Sequence, residues 1–421
     1  MERSPGFLNE ALERKSWDEQ QAERAERLRE IVAHAYAHAP AVRRKLQEAG
    51  LTPGDIRGIE DLARIPVTPK ARMVELQRAN PPFGGFLAVP LGEVRRIFRS
   101  PGPIYDPQGA DEGWGWEEAL AAAGFRKGDV CINTFGYQLT PAGMMFDDAL
   151  ANLGCPVVPT GVGDRETQVE IMRSLGVKGF VGMASFLLQI GRRAVEQGLD
   201  PRGDISLKVA FVTAEPLPDS LRSEIESLFG LTVRQGFGTA DCGCLAYECC
   251  HKGGMHLVQR AVVEIVDPTT GQPVAPGETG EIVVTLFNRA YPLIRFGTGD
   301  LSALDFGDCA CGRRAPKLRG WLGRADQLTK VKGMFIHPGQ LQTAFRDFPE
   351  VARFRAVVTR QDSRDVLTIM AEGGSAAGSE LKGRIETRVR EVLRIGGSVA
   401  WAQVGSLPTD GKLIEDARKW D

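Results

Sequence analysis

The sequence predicts an α/β protein in two parts. A large N-terminal domain has a parallel-strand α/β core and a small β-subdomain, and a small α+β domain follows it. Three observations carry this reading. A chain of 421 residues exceeds the size at which one hydrophobic core stops growing. Strand-like and helix-like runs alternate between about 128 and 236, the pattern of crossover units in a parallel sheet. At about 260 the pattern changes to apolar runs separated by turn residues.

Each element has a local cause. Ser16 and Glu19 form a capping box that opens a charged helix with the apolar stripe Leu28, Ile31, Val32, Ala35 and Tyr36, and the pattern carries that helix to near Gly50. The alternating stretch reads as VCINTF, a helix from Ala142 to Leu153, PVVP, a helix from Arg165 to Leu175, KGFVG, a helix after Ser185, and KVAFVT. Ligand sites in such sheets lie at the carboxyl ends of the strands. AVVEIVD and GEIVVTLF flank the turn-rich DPTTGQPVAPGETG as an expected antiparallel pair. Gly323-Arg324-Ala325-Asp326 marks the expected boundary, giving domains 1–325 and 326–421. Beyond it come a helix after Pro338, paired strands at FRAVVT and VLTIMA, a helix from Glu380 to Leu393 and a final strand SVAWAQV.

Composition excludes several functions. With 43% hydrophobic and 25% charged residues the chain is an ordinary globular protein, not a disordered one. Lys and Arg total 52 against 54 Asp and Glu, so no overall charge drives binding to nucleic acid or an anionic membrane. The N-terminus lacks the apolar core of a signal peptide and no apolar stretch reaches bilayer length, which predicts a soluble, cytoplasmic protein. The 49 glycines point to many tight turns and close backbone approaches to a ligand, which favours an enzyme.

Of the eight cysteines, six fall in two clusters: Cys242, Cys244, Cys249 and Cys250, then Cys309 and Cys311. In a reducing compartment such clustering points to metal before disulfides. Cys309-Ala310-Cys311 offers two thiolates, and Cys249 precedes His256 across a Gly-Gly turn, which together make a Cys₃His set suited to tetrahedral zinc. Cys242, Cys244, Cys250 and His251 compete for that role, and Cys242 and Cys244 also read as buried fillers.

The remaining motifs are turns when taken singly. Ala214-Glu215-Pro216 follows KVAFVT, Phe237-Gly238-Thr239-Ala240-Asp241 follows a strand near Val233, Arg295 to Asp300 closes the β-subdomain, and Gly411-Lys412 lies near the end. In this order, with GYQLTPAG, LGCPVVPTG, GETGEIVVT, RFGTGD, GRADQLTKVKGMFIHPGQL and LPTDGK, the chain resembles the phenylacetate–CoA ligase family of the adenylate-forming superfamily.

The resemblance implies a two-step reaction. A carboxylate attacks the α-phosphate of ATP and releases pyrophosphate; the thiol of coenzyme A then takes the acyl group and releases AMP. It implies ATP, Mg²⁺ and coenzyme A, with a homodimer plausible for the family. Lys412 is implied as the cation bridging carboxylate and phosphate, and Asp241 stands where the family has a Glu serving Mg²⁺. Asp300 is implied to bind the ribose hydroxyls, with Arg295 and Arg324 as phosphate or ribose contacts. Ala214, Glu215, Pro216 and the run Gly236-Phe237-Gly238-Thr239 are implied to border the nucleotide. The C-terminal lid is implied to turn on a hinge at Asp326 and to present Lys332 and Gly333 to the pantetheine. The family's Cys, His and Cys-x-Cys positions match Cys249, His256, Cys309 and Cys311, where zinc would brace the segments after Asp241 and Asp300.

Phe135, the Gly136-Tyr137 turn, the helix start with Met144 and Met145, and the Met183-Ala184-Ser185 turn are expected to wall an acyl pocket, and ordinary core is the alternative. Flat apolar walls suit an aromatic acid, and the resemblance implies an aryl or arylacetic acid, phenylacetate first. One stretch departs from the family. Its Ser/Thr/Gly-rich phosphate loop ending in Lys is replaced by Arg99-Ser100-Pro101-Gly102-Pro103-Ile104-Tyr105-Asp106, where two prolines remove amide donors and Ser100, Gly102, Arg99 and Tyr105 are left to contact phosphate. Three readings stand at this point: a CoA ligase, an adenylating enzyme with another acceptor, and a nucleotide- or acyl-adenylate-binding protein with impaired turnover.

Overall fold

In the computed structural model, the described residues are 6–100, 103–110, 113–325, 329–331, 334–361, 364–373 and 378–418. The chain forms two compact units. One comprises Met1–Glu278, Ile282–Thr298 and Ala303–Gly320, and the other Thr279–Glu281, Gly299–Ser302 and Trp321–Asp421.

In the first unit the capping box at Ser16 and Glu19 opens the helix Trp17–His38, which buries Leu28, Ile31, Val32 and Ala35. The helix stops at His38 rather than near Gly50. Pro40 forbids a helical conformation at Ala39, which turns extended (φ −105°, ψ 102°), and a second helix, Pro40–Glu48, starts with the proline in its first turn. The expectation of one continuous helix overlooked this breaker.

The central sheet has nine strands in the order Leu304–Asp305, Lys317–Leu318, Met255–Leu257, Gly243–Tyr247, Thr232–Thr239, Val209–Val212, Gly179–Gly182, Cys131–Asn133 and Val157–Val158. The last five pair in parallel, as the alternation predicts. Every residue of Val209–Val212 and Gly179–Gly182 is buried, because helices cover parallel strands on both faces. The crossover helices are Ala142–Asn152, Arg165–Ser174, Ala184–Glu196 and Asp219–Phe229. At Thr232–Thr239 the sheet changes character and pairs antiparallel with Gly243–Tyr247.

The β-subdomain strands Ala261–Val266 and Gly280–Leu286 are neighbours, with Phe296–Ser302 beside the latter. Thr68–Pro69 joins this sheet, parallel to Phe296 and Gly297. The segment read as a phosphate loop lies on a hairpin, Val94–Ser100 with Ile104–Gly109, whose register pairs Ser100 with Ile104. Gly102, expected to contact phosphate, lies outside the described residues.

In the second unit a four-stranded sheet runs Ser398–Ala402, Arg364–Glu372, Arg353–Gln361 and Ile414–Asp416. The helices Pro338–Phe345 and Gly378–Leu393 complete it, and Phe345 stacks on Phe354 with ring centroids 4.1 Å apart. Ile414–Asp416 was not legible in advance, since three residues carry no alternation; its parallel pairing with Ala356–Val358 fixes it. Among the described residues no helix is long and apolar enough to cross a membrane.

Candidate active site and metal centre

At the carboxyl end of Val209–Val212 the chain turns sharply. Ala214 adopts a left-handed φ of +72°. The Glu215 carboxylate accepts the Ser185 N–H at 2.6 Å and the Ser185 hydroxyl at 3.0 Å, and so caps the helix Ala184–Glu196. Thr213 Oγ1 donates to the Gly236 carbonyl at 2.8 Å, tying this turn to the next strand.

Gly236 and Gly238 are required by the protein's own packing. A Cβ at Gly236 would stand 2.6 Å from Phe211 and 3.0 Å from Trp116, and one at Gly238 would stand 2.3 Å from the Gly243 carbonyl oxygen. The buried Trp116 ring stands against both glycines. Phe237 packs on the same core and is half-buried. Thr239 Oγ1 accepts the Cys242 N–H at 3.1 Å, closing the turn that carries Asp241.

Asp241 sits in a buried charge cluster whose other members sequence reasoning missed. Lys70 Nζ lies 2.5 Å from Asp241 Oδ2, while Asp241 Oδ1 and both carboxylate oxygens of Asp106 are buried without a hydrogen-bond partner. Burial, and then the Asp241 charge, push the Asp106 carboxyl up to about 8, against the pull of Ser100 and Lys70. Ser100 is itself buried and Asp106 is 2% exposed, so this hairpin points acid and hydroxyl inward where the family's loop is hydroxyl-rich. Lys70 and Asp241 are 171 residues apart, so no local signal joins them. Three unpartnered buried carboxylate oxygens form a donor set that fits a hard divalent cation such as Mg²⁺.

Arg295 corrects an expectation. It is 1% exposed, pairs with Glu264 at 3.1 Å, and donates to the carbonyls of Ile65 at 2.7 Å and Gly271 at 2.6 Å. A guanidinium so committed holds the subdomain together and has no surface to offer a phosphate or ribose.

The expected acyl-pocket residues separate. A cleft of about 690 Å³ is lined by Tyr137, Met144, Asp147, Pro159, Thr160 and Val162 among others. Tyr137 donates to Asp147 at 3.0 Å and accepts from Asn133 at 2.9 Å. Phe135 instead stacks on Phe146 at 5.2 Å within the core, and Ala184 is fully buried beneath its helix. Gly136 lies where its carbonyl meets the helix at Gly143, and Met183 caps the helix Ala184–Glu196 with its side chain 38% exposed. Of the expected residues, Tyr137 and Met144 line this cleft; a place near a strand end could not tell cleft wall from core.

In the second unit, Asp300 Oδ1 accepts from Trp321 Nε1 at 3.0 Å and from Arg324 Nη1 at 3.1 Å. These two sequence-predicted residues are thus brought together, with Trp321 as a partner the motifs did not reveal. Lys412 lies on an exposed segment whose N–H bonds the Asp410 carboxylate at 3.0 Å. Asp326, Lys332 and Gly333 lie outside the described residues.

Cys249, His256, Cys309 and Cys311 converge, with one ligand atom of each within 4.8 Å of the others. Cys249 and Cys309 sulfurs are 3.6 Å apart, and Cys311 Sγ is 3.5 Å from His256 Nε2. His256 Nδ1 faces the Ala315 carbonyl at 3.0 Å, which leaves Nε2 turned to the thiols. The Cys249 thiol, then His256 and the Arg313 N–H, pull Cys311 far below the usual thiol range, so one thiolate is already favoured. Sulfur and imidazole in this arrangement fit zinc. Cys242 and Cys244 stay outside the set, fully buried.

Comparison with known proteins finds relatives over most of the chain. The AMP-binding enzyme family matches residues 148–286. The chain is 32% identical over 363 residues to the phenylacetate-coenzyme A ligase of Thermus thermophilus, covering 82% of this chain and 80% of that one. It is 30% identical over 424 residues to the phenylacetate-coenzyme A ligase of Escherichia coli (strain K12), covering 95% of each. The chain belongs to the phenylacetate–CoA ligase family. Among solved structures, an open conformation of 2-hydroxyisobutyryl-CoA ligase in complex with 2-HIB-AMP and CoA aligns at a TM-score of 0.87 and 26% identity, covering 96% of this chain and 93% of that chain. Apo MatB from Rhodopseudomonas palustris shares the fold at 14% identity and a TM-score of 0.55, covering 80% and 70%. Membership makes the protein an AMP-forming, ATP-dependent acid–CoA ligase that works through an acyl-adenylate.

Proposed function

We propose that the acid is an aryl or arylacetic acid, with phenylacetate as the first candidate. The observation that carries this is the similarity, sustained over most of the chain, to relatives named as phenylacetate-coenzyme A ligases. Tyr137, at the wall of the cleft, offers a flat ring face for an aromatic group.

In the first step a substrate carboxylate oxygen bonds to the α-phosphorus of ATP, and the bond to the pyrophosphate oxygen breaks. The protein's share is positioning and neutralisation of charge. Lys412 supplies a mobile cation to carboxylate and phosphate, Asp300 receives the ribose hydroxyls, and Arg324 steadies Asp300 or the ribose. Glu215 holds the turn beside the base through its cap on Ser185, with Ala214, Pro216 and Phe237 to Thr239 around it. Asp241 and Asp106 would hold Mg²⁺, which when bound neutralises phosphate oxygens. Lys70 pairs with Asp241 until then. Ser100 and Gly102 contribute what remains of the phosphate cradle.

In the second step the CoA thiol gives up its proton to solvent, its sulfur bonds to the acyl carbon, and AMP leaves with the electrons of the broken acyl–oxygen bond. The lid, 326–421, turns about Asp326, withdraws Lys412 and brings Lys332 and Gly333 to the pantetheine. Cys249, His256, Cys309 and Cys311 hold a structural zinc. We place the enzyme in the cytoplasm as a homodimer.

The test is pyrophosphate release from MgATP across aromatic, arylacetic and aliphatic acids, including 2-hydroxyisobutyrate, with and without coenzyme A. Release that needs an aromatic acid, accelerates with coenzyme A and disappears in Lys412→Ala supports the reading. Preference for an aliphatic acid overturns the substrate class. Nucleotide binding without release with any acid favours the alternative that the altered hairpin has impaired turnover.

A further inference from the structure

Lys412 stands on an exposed stretch between the end of Ser398–Ala402 and the short strand Ile414–Asp416. A flexible segment of this kind would scatter the ammonium over many positions, and that freedom must be lost before the group can act. Here the backbone is fastened from beneath.

Arg355, 5% exposed on the strand Arg353–Gln361, directs its guanidinium at this segment. Nε donates to the Lys412 carbonyl at 3.1 Å, Nη1 pairs with Glu415 at 3.1 Å, and Nη2 pairs with Asp410. The Asp410 carboxylate in turn accepts the Lys412 N–H at 3.0 Å. The peptide groups on both sides of Lys412 are thus held by one fork, directly at its carbonyl and through Asp410 at its amide. Two residues earlier, Arg353 donates to the carbonyls of Leu407 at 2.9 Å and Pro408 at 2.6 Å and secures the start of the segment. Gly411, at φ +75°, makes the turn between Asp410 and Lys412. Among the described residues the Lys412 ammonium itself has no ion-pair partner within 4 Å, so the fixed backbone presents a free cation.

We propose that Arg355 is the positioning residue for Lys412, holding its backbone so that the ammonium enters the adenylation step from a fixed origin. The inference rests on the role of Lys412 proposed above. Guanidinium suits this task because its planar donors reach three acceptors at once, which a lysine ammonium does not do in the same geometry.

The experiment compares Arg355→Met, Arg355→Lys, Asp410→Asn and Lys412→Ala in the full chain. Adenylation is read as acid-dependent pyrophosphate exchange, thioester formation is read from supplied acyl-adenylate and coenzyme A, and thermal melting reports folding. Arg355→Met is expected to lower kcat of adenylation by about 10- to 100-fold. KM for ATP and the rate of thioester formation should stay within about twofold, with Arg355→Lys recovering part of the loss. An equal loss in both half-reactions would mean a merely structural arginine and overturn the proposal, as would unchanged adenylation in Arg355→Met where Lys412→Ala is inactive. Should Arg355→Met not fold, Arg355→Lys and Asp410→Asn decide by the same split. Full adenylation by Lys412→Ala would instead remove the underlying reading of Lys412, a distinct result.

Discussion

Lys70 and Asp241 form an ion pair at 2.5 Å in which the carboxylate side chain is 2% exposed and the lysine side chain 24%. Burial works most strongly against the ammonium, but the Asp241 charge and hydrogen bond, with Cys242 and Asp106, together outweigh it and raise the Lys70 titration above its ordinary value. A buried pair of this kind costs desolvation when formed and far more when one partner is removed.

Lys70→Met therefore leaves an uncompensated buried carboxylate and is expected to cost about 3 kcal/mol of stability. Lys70→Met combined with Asp241→Asn should recover a large part of the loss. Urea unfolding of the two single variants and the double variant measures the coupling, and strictly additive effects would dissolve the pair as an energetic unit.

Cys309→Ser tests the metal centre. Zinc content per chain and melting temperature are expected to fall together, because metal-binding free energy at such a site is folding free energy. Stoichiometric zinc retained in Cys309→Ser would exclude Cys309 as a ligand.

Glu118 predicts a pH effect on stability. It is buried, accepts the Tyr247 hydroxyl at 2.7 Å, and its carboxyl is pushed up to about 7 by burial and then by Glu13. Because the folded value lies above the unfolded one, near 4.5, its contribution is complete below that pH and is lost as pH rises through about 7. Stability should fall by roughly 2 to 3 kcal/mol between about pH 5 and 8 in the native protein, and Glu118→Gln should flatten that slope. Parallel stability–pH curves for the two proteins would refute it.

Gly238→Ala forces a methyl to within 2.3 Å of the Gly243 carbonyl oxygen and 2.7 Å of the Trp116 ring. Backbone on one side cannot yield as a side chain does, so a loss of about 2 to 3 kcal/mol is expected. A denaturation midpoint equal to that of the native protein would show that the strand relaxes freely there.

What the sequence by itself determined is what neighbours along the chain dictate. The parallel strands from Cys131 to Thr239 were legible because buried strands alternate with amphipathic helices, and the family from the order of its motifs. Residue type and spacing made the Cys249, His256, Cys309 and Cys311 set legible beside its competitors, and the family resemblance favoured it over Cys242, Cys244, Cys250 and His251. The early helix break was equally local, written in Pro40. Tertiary structure alone decided the rest. Arg295 carries a motif position yet spends its charge on Glu264, and Lys70 and Asp106 reach Asp241 from distant segments. Tyr137 faces a cleft while Phe135, two residues away, is core. Such outcomes depend on which side chains packing brings within a few ångströms, and the energy of a charge or ring is set by those neighbours rather than by its place in the chain.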